Sequence, residues 1–420
     1  MTRLRVAVTG MGVVSPLGDS AQAAFIAAAA GRSGVVLLDL PSAQRLIAPV
    51  AAAAPFDATA HFEPRQIRML DRVSQFALVA AKQAVTDSGC LACDLPPAHA
   101  PERCGVFLGT GMGGTHTIDE GYQSLYGDGS DRVKPFTVLM GMYNAPAAWI
   151  GLTHGFLGPN FTYTTACSSS AVAIGEAWLR VASGGLDMAV AGGAEAPLSF
   201  GSLKAWEALR TLATVDAAQP SASCKPFSKN RSGMVLGEGA AMLVLEAWDA
   251  AVARGAFIHG EVLGCGLSND AGHITRPSVP GQAAAMRNAL QSAHLDPADI
   301  DAINAHGTGT AANDATETEA IKCVFGSRAH LMPISATKAL HGHMLGATGA
   351  LECVLSLMAM KHRVALPTMH LDSADPECDL DYVPQMVRRD LTIRTMLSNS
   401  FAFGGTNAVL VLRIGNGRVQ

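Results

Sequence analysis

The stretch Tyr163-Thr-Thr-Ala-Cys167-Ser-Ser-Ser170, with the small apolar run Ala171-Val-Ala-Ile-Gly175 behind it, constrains this chain more than any other. A β-prone segment, 160–165, meets a helical segment at Cys167 and places one thiol at the entry to a helix. The free N–H groups of that first turn favour negative charge, so the thiol is expected to have a lowered pKa and Cys167 becomes a candidate nucleophile. The small side chains that follow let the helix pack closely against other elements. The same residues also fit an ordinary buried cysteine beside a helix cap, since free cysteine is among the most buried residue types. The local stretch leaves both readings open.

A chain of 420 residues with 49% hydrophobic content can bury a large core, and its length fits about two or three domains. Its 43 glycines and 5% aromatic content suit tight strand–helix turns and close helix packing. A formal net charge of -5 without a long run of one sign points away from nucleic acid as the main partner. No apolar run reaches about 18 residues, so no membrane span is expected, and the N-terminus opens with a strand pattern instead of a secretory signal. The nine cysteines form an odd set without framework spacing, as in a reduced cytoplasmic protein. Cys90 and Cys93 make a lone C-x-x-C that no second pair or nearby histidine completes into a zinc site.

Along the chain, 4–9 patterns as a buried strand that breaks at Gly10-Met-Gly12, read as a tight turn because Ser15 occupies the third glycine position of a dinucleotide fingerprint. Residues 72–88 carry a helical apolar stripe. Strands follow at 104–108, ending in Gly109-Thr-Gly-Met-Gly-Gly114, and at 188–191, closed by Gly192-Gly-Ala-Glu195. A glycine turn and a strand lie within 233–246. The alternation restarts with strands at 260–264 and 300–304 and helices at 282–293 and 313–325. Strands alternating with helices imply a parallel-rich α/β architecture with ligands at the carboxyl ends of strands. If there are two halves, they meet near 254–260.

Three further constellations carry chemistry. Asn304-Ala-His306-Gly-Thr308-Gly-Thr310 sets a histidine directly after an apolar strand, where a hydrogen-bonded structural role competes with a catalytic one. Ser335-Ala-Thr-Lys338-Ala-Leu-His341-Gly-His343 leads into an apolar helix read as 343–360, and at a helix entry the dipole disfavours a protonated imidazole. Asn399-Ser-Phe401-Ala-Phe403-Gly-Gly-Thr-Asn407 is a glycine loop whose N–H groups are placed to face a developing oxyanion.

One cysteine at a strand–helix elbow, two loop histidines, a lysine and a terminal glycine loop, in this order, resemble the β-ketoacyl-acyl carrier protein synthases of the thiolase superfamily, over essentially the whole chain. The resemblance is closest to the discrete, chain-elongating type II enzymes, whose late acidic stretch appears here as Asp375-Pro-Glu-Cys-Asp-Leu-Asp381.

The resemblance implies an α/β, thiolase-like layered fold (αβαβα) from two similar halves, 1–255 carrying Cys167 and 256–420 carrying His306, Lys338 and His343. It implies that Cys167 is acylated, that His306 and His343 are the paired histidines, and that Lys338 is the active-site lysine. The N–H groups of Cys167 and Phe403 would form the oxyanion hole, with the Phe403 ring as gate. Met112, Trp206, Phe401, Phe403, Thr308 and Thr310 fall at the substrate pocket. Glu352 matches a buried supporting glutamate, and with Asn304, Glu317, Ser398 and Asn399 it matches a site where some members hold a monovalent cation. Arg65, Arg68 and Arg210 fall where some members dock an acidic carrier protein. No organic cofactor is implied; the expected partners are acyl carrier protein bearing malonyl and acyl groups and a second copy of the chain.

His341 departs from the family's usual threonine, and Ser168-Ser-Ser170 with Thr308-Gly309-Thr310 leans toward polyketide-type ketosynthases. The expected reaction is therefore decarboxylative condensation in fatty acid elongation, with the ketosynthase subunit of a type II polyketide or polyene pathway as the alternative. The chemistry needs a soft nucleophile for the acyl group and neutral N–H donors for the enolate left when a malonyl thioester loses carbon dioxide. A degradative thiolase should carry a second catalytic cysteine where this chain has Phe403-Gly-Gly. A non-catalytic chain-length subunit should lack the nucleophile.

Overall fold

The strands Val6–Val14 and Met188–Glu195 are buried along their whole length. Strands covered on both faces require helices on each side of the sheet. A computed structural model describes residues 3–40, 42–91 and 98–418; Cys93 of the C-x-x-C lies outside them, while Cys90 is buried.

In chain order the strands are β1 (Val6–Val14), β2 (Val35–Leu37), β3 (Val50–Ala52), β4 (Cys104–Gly109), β5 (Asn160–Tyr163), β6 (Met188–Glu195), β7 (Gly239–Ala247), β8 (Phe257–Asn269), β9 (Ala302–Asn304), β10 (Ile334–Ser335), β11 (Thr395–Phe401) and β12 (Thr406–Arg418). β2 and β3 pair apart from the rest, and the other ten form one sheet in the order β10-β9-β11-β12-β8-β1-β7-β6-β4-β5. Its two halves repeat one topology. In the first, β5, β4 and β6 run parallel, β7 pairs antiparallel with β6, and β1 antiparallel with β7. In the second, β10, β9 and β11 run parallel while β12 and β8 are antiparallel. The halves meet where Val6, Ala7 and Val8 of β1 pair with Val262, Glu261 and Gly260 of β8.

Five helices complete the layers: α1 (Arg72–Ser88), α2 (Ser169–Ala182), α3 (Val279–Ala293), α4 (Ala311–Phe325) and α5 (Thr348–Lys361). α1 covers β1, β6 and β7; α2 and α5 pack together between the two sheet halves; α3 covers β8 and β12 and packs on α4. This is the layered αβαβα arrangement. The middle layer is a continuous apolar core from Ala171 to Ala182 and Ala347 to Met360. No helix among the described residues is long and apolar enough to cross a membrane.

The helix over 72–88 forms with the expected bounds, capped by the Asp71 side chain and by Gly89 in the left-handed region. Other expectations are corrected. The sheet is less parallel than the strand–helix alternation implied, since two of the four strand pairings in each half are antiparallel; β11 and β12 are joined by a tight turn through Gly404 and Gly405, both at positive φ. Gly10-Met-Gly12 is not a turn but continues β1, with a register shift at Thr9. A Cβ on Gly10 would lie 2.0 Å from the Ala84 oxygen and one on Gly12 1.9 Å from the Ala80 oxygen, so these glycines let α1 lie directly on the strand. Gly192 and Gly193 likewise lie inside β6.

Because the opposing atom is backbone, Gly12→Ala should destabilise the protein by about 3 kcal/mol, the upper part of the range for overpacking. Urea unfolding monitored by circular dichroism measures this, and an unchanged midpoint would refute the close contact.

Candidate active site

The carboxyl ends of β4, β5, β6, β9, β10 and β11 lead into Thr110, Cys167, Glu195, His306, Lys338 and Phe403. The repeated topology thus brings residues far apart in sequence to one place.

After β5 the chain turns through Ala166–Ser168 into α2, with Ala166 at a φ of 51°, a left-handed conformation strained for a residue with a Cβ. Serines hold the turn: Ser169 Oγ accepts from the Thr165 N–H at 2.9 Å and donates to the Ala166 carbonyl at 2.6 Å, while Ser168 Oγ donates to the Thr165 carbonyl at 2.9 Å. Cys167 is buried at 5% exposure, and this overturns the expected thiolate. Burial pushes its thiol up to about 11, against the downward pull of the Lys338 ammonium and the Phe403 N–H. Partial charges at a helix entry do not outweigh the loss of water.

His306 follows β9 in a loop tied to α4 by two acids. The N–H groups of His306 and Gly307 each donate to Glu317 at 2.8 Å, and those of Thr308 and Gly309 donate to Asp314, each at 3.1 Å. Lys338, fully buried after β10, donates to Glu352 Oε1 at 2.7 Å, to the His306 carbonyl, and to His306 Nδ1 at 3.3 Å. An ammonium only donates, so His306 Nδ1 accepts and the ring proton sits on Nε2. His343 Nδ1 lies 3.0 Å from Thr348 Oγ1; with the hydroxyl as donor, His343 is the same tautomer. The two rings stand 5.4 Å apart at 80°. Burial first, then the Lys338 charge, holds both imidazoles well below their ordinary pKa, so both are neutral at pH 7. Their neutrality does not come from a helix dipole: α5 begins at Thr348, and His343 precedes the separate turn Leu345–Ala347.

Cys167, His306 and His343 present their donor atoms within 4.8 Å of one another. Metal coordination needs imidazole lone pairs aimed inward, whereas Lys338 occupies the His306 Nδ1 lone pair and turns that ring's Nε2 proton inward, and with Thr348 Oγ1 as donor His343 does the same. The arrangement suits an oxyanion. The three residues share a cavity of 110 Å³ with Thr308, Thr310, Phe401 and Phe403. Met112 and Trp206 do not line it. They belong to an apolar cluster with Leu198, Leu203 and Leu345, where Trp206 Nε1 donates to Met112 Sδ at 3.3 Å. The Phe403 ring stacks on Trp206 at 6.2 Å and stands between cluster and cavity.

Asn304, Glu317, Glu352, Ser398 and Asn399 are all buried at 1% exposure or less. Asn399 Nδ2 donates to Glu317 at 3.0 Å and Asn304 Nδ2 to Ser398 Oγ at 3.4 Å, while Glu352 Oε2 and Asn399 Oδ1 lack partners among the described residues. Burial pushes Glu352 up to about 7 and Glu317 in the same direction. An oxygen-rich set with two unsatisfied acceptors fits a hard cation. His341 points away from the cavity, its Nε2 on Thr337 Oγ1 at 2.9 Å, and burial lowers it to about 3. Arg65, Arg68 and Arg210 are exposed.

Sequence reasoning missed Thr348, Asp314 and Glu195. Glu195 accepts from Gly111, Met112 and Gly346 N–H groups and from Thr110 Oγ1, yet burial still lifts it to about 7. An acid closing an otherwise apolar strand was the available signal.

The profile described as "Beta-ketoacyl synthase, N-terminal domain" matches residues 3–251, and "Beta-ketoacyl synthase, C-terminal domain" matches 259–372. The chain is 43% identical over 413 residues to Nodulation protein E of Rhizobium leguminosarum bv. trifolii, covering 97% of this chain and 99% of that one. It is 40% identical over 418 residues to 3-oxoacyl-[acyl-carrier-protein] synthase 2 of Coxiella burnetii, covering 98% and 99%. Among solved structures, a type II PKS ketosynthase in complex with its acyl-carrier protein and bound to the hexaketide superposes with a TM-score of 0.90 at 29% identity, covering 99% of this chain and 100% of that one.

Because the raised thiol is mostly protonated at neutral pH, alkylation of Cys167 by iodoacetamide should climb about tenfold per pH unit from pH 7 to 9 without a plateau. Lys338→Met should slow it further by about tenfold, since it removes the largest offset to burial. Peptide mass mapping follows the modification, and a plateau below pH 8 would contradict the raised pKa.

Proposed function

The chain belongs to the β-ketoacyl synthase family and is a β-ketoacyl-acyl carrier protein synthase, and we propose that it condenses malonyl-acyl carrier protein with an acyl group held on Cys167, giving 3-oxoacyl-acyl carrier protein in fatty acid elongation. The observation that carries this reading is the pair of buried neutral imidazoles that line the same small cavity as the thiol.

In the first step Cys167 sulfur attacks the acyl thioester, and the N–H groups of Cys167 and Phe403 receive the oxyanion. The carrier leaves as its thiol, taking the proton that Cys167 gives up. The Lys338 charge and the Phe403 N–H favour the transient thiolate. In the second step the malonyl thioester loses carbon dioxide, and His306 and His343 donate to the enolate oxygen. The enolate carbon attacks the acyl-cysteine carbonyl, the oxyanion returns to the same two N–H groups, and collapse expels the cysteine sulfur. Neutral donors fit this charge flow, because they stabilise the enolate without protonating its carbon. The half 1–255 supplies the nucleophile and the half 256–420 the two histidines and the lysine. The residues around Glu352 and Asn399 are assigned to a monovalent cation with a structural role.

A ketosynthase of a type II polyketide or polyene pathway is the second reading, favoured by Ser168-Ser-Ser170, Thr308-Gly309-Thr310 and the similarity to a type II PKS ketosynthase. A homodimer is supported by β5, whose outer edge is unpaired among the described residues and lies near exposed Leu152, Leu157 and Phe161. Arg65, Arg68 and Arg210 are the proposed landing points for the acidic carrier.

Given acyl- and malonyl-carrier proteins alone, the enzyme should yield one 3-oxoacyl product, one two-carbon unit longer, by mass spectrometry; repeated extension would select the polyketide reading. Cys167→Ala should abolish condensation but still release labelled carbon dioxide, whereas His306→Ala or His343→Ala should reduce that release by about 10²- to 10³-fold. Release lost in the cysteine variant and kept in both histidine variants would overturn these roles.

Light scattering should report about twice the chain mass, and a further rise when carrier protein is added. Reversing Arg65, Arg68 and Arg210 to glutamate should abolish that rise, and at low salt the wild-type rise should be strongest. A monomeric mass, or a rise that survives the reversals, would remove the dimer or the docking patch respectively.

A further inference from the structure

Glu195 is a fully buried carboxylate that the condensation chemistry does not use. It ends β6 between two loops with different tasks. Oε1 accepts from the Met112 N–H at 2.9 Å and Thr110 Oγ1 at 3.2 Å; Oε2 accepts from Gly111 at 2.6 Å and Gly346 at 2.9 Å. Thr110 to Met112 carry the wall of the apolar cluster beyond Phe403. Gly346 belongs to the turn Leu345–Ala347, which follows His343 and packs against the cysteine turn Ala166–Ser168. The loops approach so closely that a Cβ on Gly346 would lie 2.5 Å from the Gly111 nitrogen. A second link runs beside the carboxylate. Leu345, held at a φ of 43°, sends its side chain into the same cluster as Met112 and Trp206. Displacing Met112 therefore pulls on the turn that follows His343 through both the carboxylate and the Leu345 side chain.

We propose that Glu195 is a positioning residue that couples occupancy of the Met112 wall by a Cys167-bound acyl chain to placement of His343, so that carbon dioxide is lost from the malonyl group chiefly when an acyl chain is waiting. This rests on the condensation reading above. Decarboxylation before the acyl group is in place wastes the malonyl unit, and a hydrogen-bonded clamp between the two loops ties the order of events to the backbone.

The test is single-turnover release of labelled carbon dioxide from malonyl-carrier protein, comparing enzyme pre-acylated on Cys167 with a long chain against free enzyme. In the wild type, acylation should accelerate release by about tenfold. In Glu195→Gln, which turns an amide N–H toward the inward-pointing N–H donors, the acylated-to-free ratio should fall to about one while the rate of Cys167 acylation stays within about threefold. Glu195→Asp, which keeps the carboxyl group on a shorter arm, should recover part of the ratio. A merely structural carboxylate would lower acylation and release together and leave the ratio unchanged. Should Glu195→Gln fail to fold by circular dichroism, Gly346→Ala decides, because its Cβ would lie 2.8 Å from Glu195 Oε2 and open the clamp from the other side. A wild-type ratio of one, or a wild-type ratio retained in the variant, overturns the coupling. A wild type that forms no 3-oxoacyl product overturns the functional reading itself, and the coupling with it.

Discussion

The buried ammonium of Lys338 is the interaction on which the rest of the site depends. A lysine removed from water at 0% exposure is stable only with charge and hydrogen-bond partners. Glu352 Oε1 supplies the charge at 2.7 Å, and His306 supplies its carbonyl and Nδ1. Each contact has a chemical consequence. Occupying Nδ1 fixes the His306 proton on Nε2, toward the cavity. The positive charge discourages protonation of both imidazoles and draws the Cys167 thiol back from the value burial alone would impose. One buried lysine thus bears on the protonation of three groups that line the same cavity.

The duplicated topology explains how such a cluster is assembled. Each half ends its parallel strands on the same side, and the halves share the helices α2 and α5 between them. Cys167 enters that middle layer from one half and His343 from the other, through turns that abut at Ala166–Ser168 and Leu345–Ala347. Both turns contain a non-glycine residue at positive φ, Ala166 and Leu345. Such conformations cost about 1–3 kcal/mol each and persist where the surroundings over-determine them. Here a packed helical layer does so.

Buried carboxylates do much of the remaining positioning, and they do it through backbone N–H groups. Asp314 and Glu317, one helical turn apart on α4, hold the His306 loop, and Glu195 holds the loops of Met112 and Gly346. An acid accepting several N–H bonds can remain inside an apolar core because its lone pairs are satisfied. Such acids stiffen glycine-rich loops that otherwise have few side chains to pack.

By itself the sequence determined the elements whose signals are local. The helix over 72–88 follows from its apolar stripe with Asp71 and Gly89 at its ends, and the order Cys167, His306, Lys338, His343, Phe403 is legible because each sits in a short motif of small residues at a turn or loop. The same applies to the layered α/β class, which the resemblance carried. Only the tertiary structure decided the quantities set by distant atoms. The thiol of Cys167 is raised instead of lowered because desolvation, invisible in a local stretch, exceeds the helix-entry field. The imidazole tautomers depend on Lys338 and Thr348. Gly10 and Gly12 continue a strand because α1 lies against them, and Met112 and Trp206 are separated from the cavity because the Phe403 ring stands between. Periodicity and turn chemistry act over a few residues and can be read along the chain, whereas burial, proton placement and close approach are properties of neighbours that only folding brings together.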